Sequence, residues 1–291
     1  MCMQIGNEMR MGKNIMYDRI YQNRILLMAS AVIALVMCYF CRTSDSDALT
    51  WILTPTAWWV SILGGIPFEY LPHQGYVNHL WQFVIAPSCA GCRFMLITFL
   101  MLVFSFGKNE SARGPEKQWA WLGFSLVFAY VSTILVNGIR IVASIYLPAV
   151  LERKQLMAGW LTPDRLHTLI GTVTYFISLC MIYLLALSIR QRIFERGKRI
   201  QQEGGKAVEA FSGEISARTI QHRSLTVPAF WYLLVVLALP FVKRVYHHDL
   251  AGFGTYAAVI GGVCGSVCVI MAVGGWITRR LWGADIPSHT K

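Results

Sequence analysis

The chain has 291 residues, 55% hydrophobic and 14% charged, with a mean hydropathy of +0.49. That balance excludes an ordinary soluble globular domain and points to an integral membrane protein. The net charge of +11 does not point to nucleic acid, because the basic residues gather between apolar runs, where membrane topology accounts for them.

Residues 1–20 read as a basic cytoplasmic N-terminus. The first apolar run, "YQNRILLMASAVIALVMCYFC" (21–41), is long and no small-residue cleavage site follows it, so it reads as a retained anchor rather than a signal peptide. The next segment, "ALTWILTPTAWWVSILGGIPF" (48–68), has the length of a span but contains Pro55, several hydroxyl residues and Gly64-Gly65. Further runs cover 93–106, 119–147, 167–189, 227–242 and 251–277, and those near 20 residues can cross a ~30 Å hydrocarbon core. Between the fourth and fifth spans, residues 190–226 form a polar, basic cytoplasmic linker that opens with an amphipathic helix.

Basic residues decide the doubtful segment. With 48–68 kept from crossing and the N-terminus inside, 18 of the 26 Lys and Arg residues fall on the cytoplasmic side. The expectation is therefore an all-α, polytopic helical bundle of about six transmembrane spans. Residues 48–68 are a re-entrant or interfacial element on the outer side, covered by other protein. The catalytic membrane core is expected over 21–189 and a C-terminal transmembrane hairpin and tail over 227–291. In that hairpin Cys264 and Cys268 pack as small interface residues, and Gly261 to Gly265 offers a small-xxx-small contact.

This topology brings chemistry to one level. Cys89 at the start of the second span, Arg140 near the outer end of the third and His167 at the start of the fourth all reach the outer face. An arginine inside "LVNGIRIVASIYL" costs about 2.5–3.5 kcal/mol at a bilayer centre, so Arg140 is a functional candidate; snorkelling or structural pairing is the plainer alternative. Asn137, almost one turn earlier on the same face, is placed to hold its guanidinium. "PSCAGCRF" (87–94) admits three chemistries: a redox Cys89/Cys92 pair, a metal clip, or one nucleophile with a neighbour. His73, His79, His247 and His248 also fall outside, and residues alone leave each open as a base. Trp58, Trp59 and Tyr70 read as a site wall or as interfacial anchors.

Taken together, "SCAGCRF" (88–94), "NGIRI" (137–141) and "HTLIG" (167–171), in that order and each at the outer end of a span, resemble the exosortase/archaeosortase family. The stretches around 53–70 and 75–94 look most like the exosortase K-type subgroup. The resemblance spans roughly residues 25–190. It implies a cysteine transpeptidase of the bacterial inner membrane, with its active site on the periplasmic side. Its substrates would be exported proteins carrying a C-terminal sorting tail, a Pro-Glu-Pro-like motif followed by a transmembrane helix and basic residues. Carried over by position, Cys89 is the nucleophile, Arg140 the charge-stabilising group and His167 the acid/base, with Arg93 and Asn137 on the substrate side. No cofactor, metal or nucleic-acid partner is implied; the lipid bilayer and an unidentified acceptor nucleophile are. Cys92 departs from the family pattern, which often has an aliphatic residue there. The rival reading is a quinone-coupled thiol-disulfide oxidoreductase using Cys38/Cys41 and Cys89/Cys92.

Overall fold

The computed structural model describes residues 25–110, 115–154, 163–203, 225–246 and 250–282. The expectations for residues 1–20 and 204–224, for His247 and His248 and for the final tail lie outside them. The protein is mostly helical: α1 (Ile25–Thr43), α2 (Thr50–Gly64), α3 (Cys92–Glu110), α4 (Pro115–Arg153), α5 (Pro163–Glu203), α6 (Thr226–Tyr246) and α7 (Leu250–Trp282). Among the described residues five helical segments are long and apolar enough to cross a membrane: Ile25–Thr43, Pro87–Gly107, Glu116–Arg153, Arg165–Ile193 and Phe253–Gly274. The sixth expected span corresponds to α6, whose described apolar stretch, Thr226–Leu237, is shorter. The long helices turn apolar side chains outward, among them Leu35, Val36, Val127, Val131, Met181, Leu185, Val269 and Ile270. Exposure on that scale suits lipid rather than water.

The chain divides into two compact units, residues 1–161 and 162–291. In the second unit α5 continues unbroken to Glu203, so the basic start of the expected linker is an extension of the fourth apolar helix. Tyr232 of α6 packs on Phe176 of α5, with ring centroids 5.4 Å apart, and its hydroxyl donates to the Thr172 carbonyl at 3.4 Å. Cys180 and Cys264 are buried. A Cβ added at Gly261 or Gly265 meets no atom within 4 Å, so no close contact among the described residues uses that pair.

The first unit is built on antiparallel long helices. Leu26 of α1 lies against Gly107 of α3 while Cys41 meets Cys92, so α1 and α3 run in opposite directions. Gly91, just before α3, lies against Asn137 of α4 while Phe106 meets Trp121, so α3 and α4 are antiparallel as well. The segment expected to be re-entrant is α2, whose 15 residues reach only about 22 Å at 1.5 Å per residue, less than a bilayer core. It lies alongside α4 and parallel to it: Trp51 stacks on Tyr130, Trp59 reaches Leu135, and Gly64 meets Tyr146.

Tyrosines of α4 also resolve the polar problem posed by α2. Pro55 has no N–H to offer the carbonyl of Trp51 four residues back, and the Tyr130 hydroxyl donates to that carbonyl instead, at 2.7 Å. The last-turn carbonyl of Gly64 accepts from Tyr146 at 2.9 Å. Gly65, at φ +63°, then ends the helix with a left-handed cap.

The all-α expectation needs one amendment. Between α2 and the turn carrying Cys89, the chain forms a three-stranded antiparallel sheet of β1 (Glu69–Leu71), β2 (Gly75–Asn78) and β3 (Phe83–Ile85). These strands are only three or four residues long, too short for alternation to show in the sequence. Tertiary bonds hold them. Tyr76 donates to Thr54 of α2 at 2.7 Å, and Asn78 donates to the Pro67 carbonyl while accepting from the Trp81 amide. Gly75, at φ +104°, lets β2 press on β3; a Cβ there would sit 2.5 Å from the Ile85 oxygen.

Asp47, in the loop between α1 and α2, ties down the hairpin tip. One oxygen accepts from the Tyr70 hydroxyl at 2.6 Å and from the His73 amide at 2.9 Å; the other lies 2.9 Å from His73 Nδ1. The Tyr70 and His73 donors hold the Asp47 carboxyl below its ordinary range, and the same hydrogen bond raises the Tyr70 phenol. A depressed carboxyl contributes stability above its unfolded value, near ~3.9, and loses it as pH falls through the folded one. Asp47→Asn should therefore lower the melting temperature at pH 7, and the gap from the unsubstituted protein should close as pH falls below about 4. A gap that stays constant across that range would show that the carboxylate does not hold the hairpin.

Candidate functional site

The sheet delivers the chain to Cys89. After β3, Pro87–Cys89 forms a single 3-10 turn, with the Cys89 amide donating to the Ala86 carbonyl at 2.8 Å. Gly91 follows at φ +73°, and its carbonyl accepts from the amides of Phe94 and Met95 as α3 begins. Cys89 thus stands directly ahead of the N-terminus of α3, whose positive end favours a nearby anion. It is 8% exposed, and Ser88 Oγ lies 4.0 Å from its sulfur.

The decisive contact comes from α4. Asn137, fully buried, donates from Nδ2 to the Cys89 carbonyl, and its Oδ1 accepts from Arg140 Nη1 at 3.3 Å. One amide therefore holds both the segment carrying the thiol and the guanidinium, and Arg140 is itself only 8% exposed. The expectation that Asn137 steadies Arg140 is met, and the same side chain does more than that spacing indicated.

Glycines in the two motifs make the contact possible. A Cβ on Gly91 would fall 2.9 Å from Thr133 Cγ2 and 3.1 Å from Asn137 Cγ, so the start of α3 approaches α4 closely only without a side chain there. On α4, a Cβ on Gly138 would sit 2.3 Å from Trp59 Cδ1. Trp59 packs into that space and donates its indole N–H to the Leu135 carbonyl at 3.1 Å. In "NGIRI", then, Asn137 serves α3, Gly138 serves α2, and Arg140 lies one turn beyond Asn137 in the packed interior.

The remaining expected residues are distributed more widely. Arg93 is exposed on the first turn of α3. His167 is half-buried near the start of α5, in the second unit. His73 belongs to the Asp47 cluster and His79 is exposed. Of the three aromatic residues expected as a wall, Trp58 is exposed, Trp59 is a packing residue and Tyr70 braces the hairpin. Sequence reasoning missed Thr133, the place of Trp59 against Gly138, and the partner of Cys92. Cys92 meets Cys41 of α1, so its contact crosses between helices rather than following the Cys-x-x-Cys spacing. The glycines inside both motifs were the available signal for close approach. No family model, curated protein or solved structure matches the chain.

Two outcomes test this geometry. Gly138→Ala should cost about 1–3 kcal/mol by overpacking against Trp59 and lower the melting temperature. Gly261→Ala, in open space, should leave it within a degree or two or raise it slightly. Asn137→Ala leaves the buried Cys89 carbonyl without its donor, a loss of about 1–3 kcal/mol, and should speed alkylation of Cys89 by releasing its turn. An unchanged alkylation rate would mean that the Asn137 amide does not position the thiol.

Proposed function

We propose that the protein is a membrane-embedded cysteine transpeptidase that cleaves the C-terminal sorting tail of exported proteins and passes them to an acceptor. The observation that carries this reading is the Asn137 amide, which ties the Cys89 turn to Arg140 and so joins two of the three motif segments at one end of α3. A nucleophile held ahead of a helix N-terminus, with a buried guanidinium on the same amide, suits attack on a carbonyl that becomes an oxyanion.

In the proposed reaction the Cys89 thiolate adds to the scissile carbonyl and Arg140 donates to the developing oxyanion. The leaving amine takes up a proton as the C–N bond breaks, the role that the resemblance gives to His167, and the C-terminal tail is released. The acyl group remains on Cys89 as a thioester, until the acceptor nucleophile, or water, attacks it and restores the thiol. Arg93, exposed beside the site, adds positive field on the side where substrate arrives.

The proposed setting is the bacterial inner membrane, with six spans and the site at the periplasmic face. There a substrate whose tail is itself a membrane helix is fixed in depth by the bilayer, and its basic end stays cytoplasmic by the positive-inside rule. The oxidoreductase alternative draws less support, because it gives no role to the Asn137 amide that ties the Cys89 turn to Arg140.

Mass spectrometry of exported proteins in cells carrying Cys89→Ala should find the C-terminal tail retained. Arg140→Ala should slow processing by about a hundredfold, the usual effect of losing one oxyanion donor. Normal processing in the Cys89→Ala cells would overturn the assignment.

A further inference from the structure

The turn between β2 and β3 holds large apolar side chains outward. The pairing of Asn78 with Phe83 leaves residues 79–82 as the turn, and the buried Asn78 side chain braces it, donating to the Pro67 carbonyl and accepting from the Trp81 amide at 2.7 Å. Gln82, at φ +46°, takes a left-handed conformation uncommon for a residue with a side chain and returns the chain into β3. Turns that face water favour Gly, Asn, Asp and Ser. This one presents Leu80, 87% exposed, and Trp81, 41% exposed.

The surroundings of the turn are apolar as well. Trp81 meets Tyr146 of α4 edge-on, with ring centroids 5.3 Å apart, and the Tyr146 hydroxyl donates to the Gly64 carbonyl at the end of α2, where Ile62 is exposed. Three elements thus share one apolar patch. It continues the outward face of α4, on which Leu135, Ile139 and Tyr146 follow one another at helical spacing, all exposed. Past Tyr146 no charged residue follows until Glu152, about 9 Å further along the helix. No Lys, Arg, Asp or Glu occurs between Glu69 and Arg93 either. The polar cluster of Asp47, Tyr70 and His73 braces the opposite turn, at the other end of β2.

We propose that the β2–β3 turn is a lipid-binding surface: Leu80 and Trp81 enter the boundary between headgroups and acyl chains of a phospholipid bilayer, in the leaflet at the Cys89 end of α3. Indole and phenol rings suit that boundary because each joins an apolar body to a polar tip, and a turn without charge enters it with no ion to desolvate. The occupant is lipid rather than protein, because the patch is continuous with the face of α4 that suits acyl chains along the span. This contact does not depend on the reaction proposed above. β3 leads from the turn straight into the Cys89 turn, so lipid contact at Trp81 also sets the depth of Cys89.

The test uses the full chain in phosphatidylcholine vesicles, carrying Leu80→p-benzoylphenylalanine as a photoreactive side chain, irradiated and read by mass spectrometry. The expected result is a phospholipid adduct at residue 80, with a yield roughly tenfold above that from the same substitution at Gln74, exposed in the opposite turn. In vesicles of brominated phosphatidylcholine, Trp81→Phe should remove a quenched component of the tryptophan emission. An adduct at residue 80 to a peptide of a second copy, a lipid yield there no higher than at residue 74, or quenching unchanged by Trp81→Phe would overturn the proposal.

Discussion

A single buried carboxamide organises the first unit. Asn137 donates to the Cys89 carbonyl and accepts from Arg140, so its two ends join a turn leading into α3 and a cation on α4. Each of those groups is costly to bury alone: a carbonyl away from water needs a donor, and a guanidinium in an apolar helix needs acceptors. One side chain meets part of both demands. Replacing it with an apolar residue of similar size would keep the shape and lose the polar solution, which is why the contact matters more than the volume it fills.

That amide reaches Cys89 only because the backbones on both sides of α4 come close. Gly91 admits the start of α3 on one side, and Gly138 admits Trp59 of α2 on the other. The short α2 is itself acceptable in an apolar bundle because Tyr130 and Tyr146 take up the carbonyls left by Pro55 and by the helix end. The small sheet completes the support. It is pinned to α2 by Tyr76 and to the α1–α2 loop by Asp47, and its last strand leads directly into the Cys89 turn. A long chain of local solutions thus converges on one turn of three residues.

The two cysteines at the start of α3 have separate surroundings. Cys89 is buried, and its carbonyl is held by the Asn137 amide that also accepts from Arg140. Cys92 is half-buried at the start of α3 and lies toward Cys41 of α1. A spacing that suggests one redox pair is, in three dimensions, two sulfurs with different partners, and the division follows from Gly91 turning the chain between them.

Composition and apolar run length were enough to determine a helical, membrane-type chain, since a run of twenty apolar residues has few other places to go. Most run boundaries fell near the observed helix ends, although α5 runs on to Glu203, and the motif order placed Cys89 and Arg140 at one level. The spacing of Asn137 and Arg140 on one helix face was legible for the same reason, because helical periodicity is local. The three-stranded sheet, the parallel course of α2 along α4, the bond from Asn137 to Cys89 and the meeting of Cys41 with Cys92 were not legible. Each joins residues from 4 to more than 70 positions apart through hydrogen bonds or steric fit. Such pairings carry no periodic trace in the chain and are decided only when helices and loops pack together.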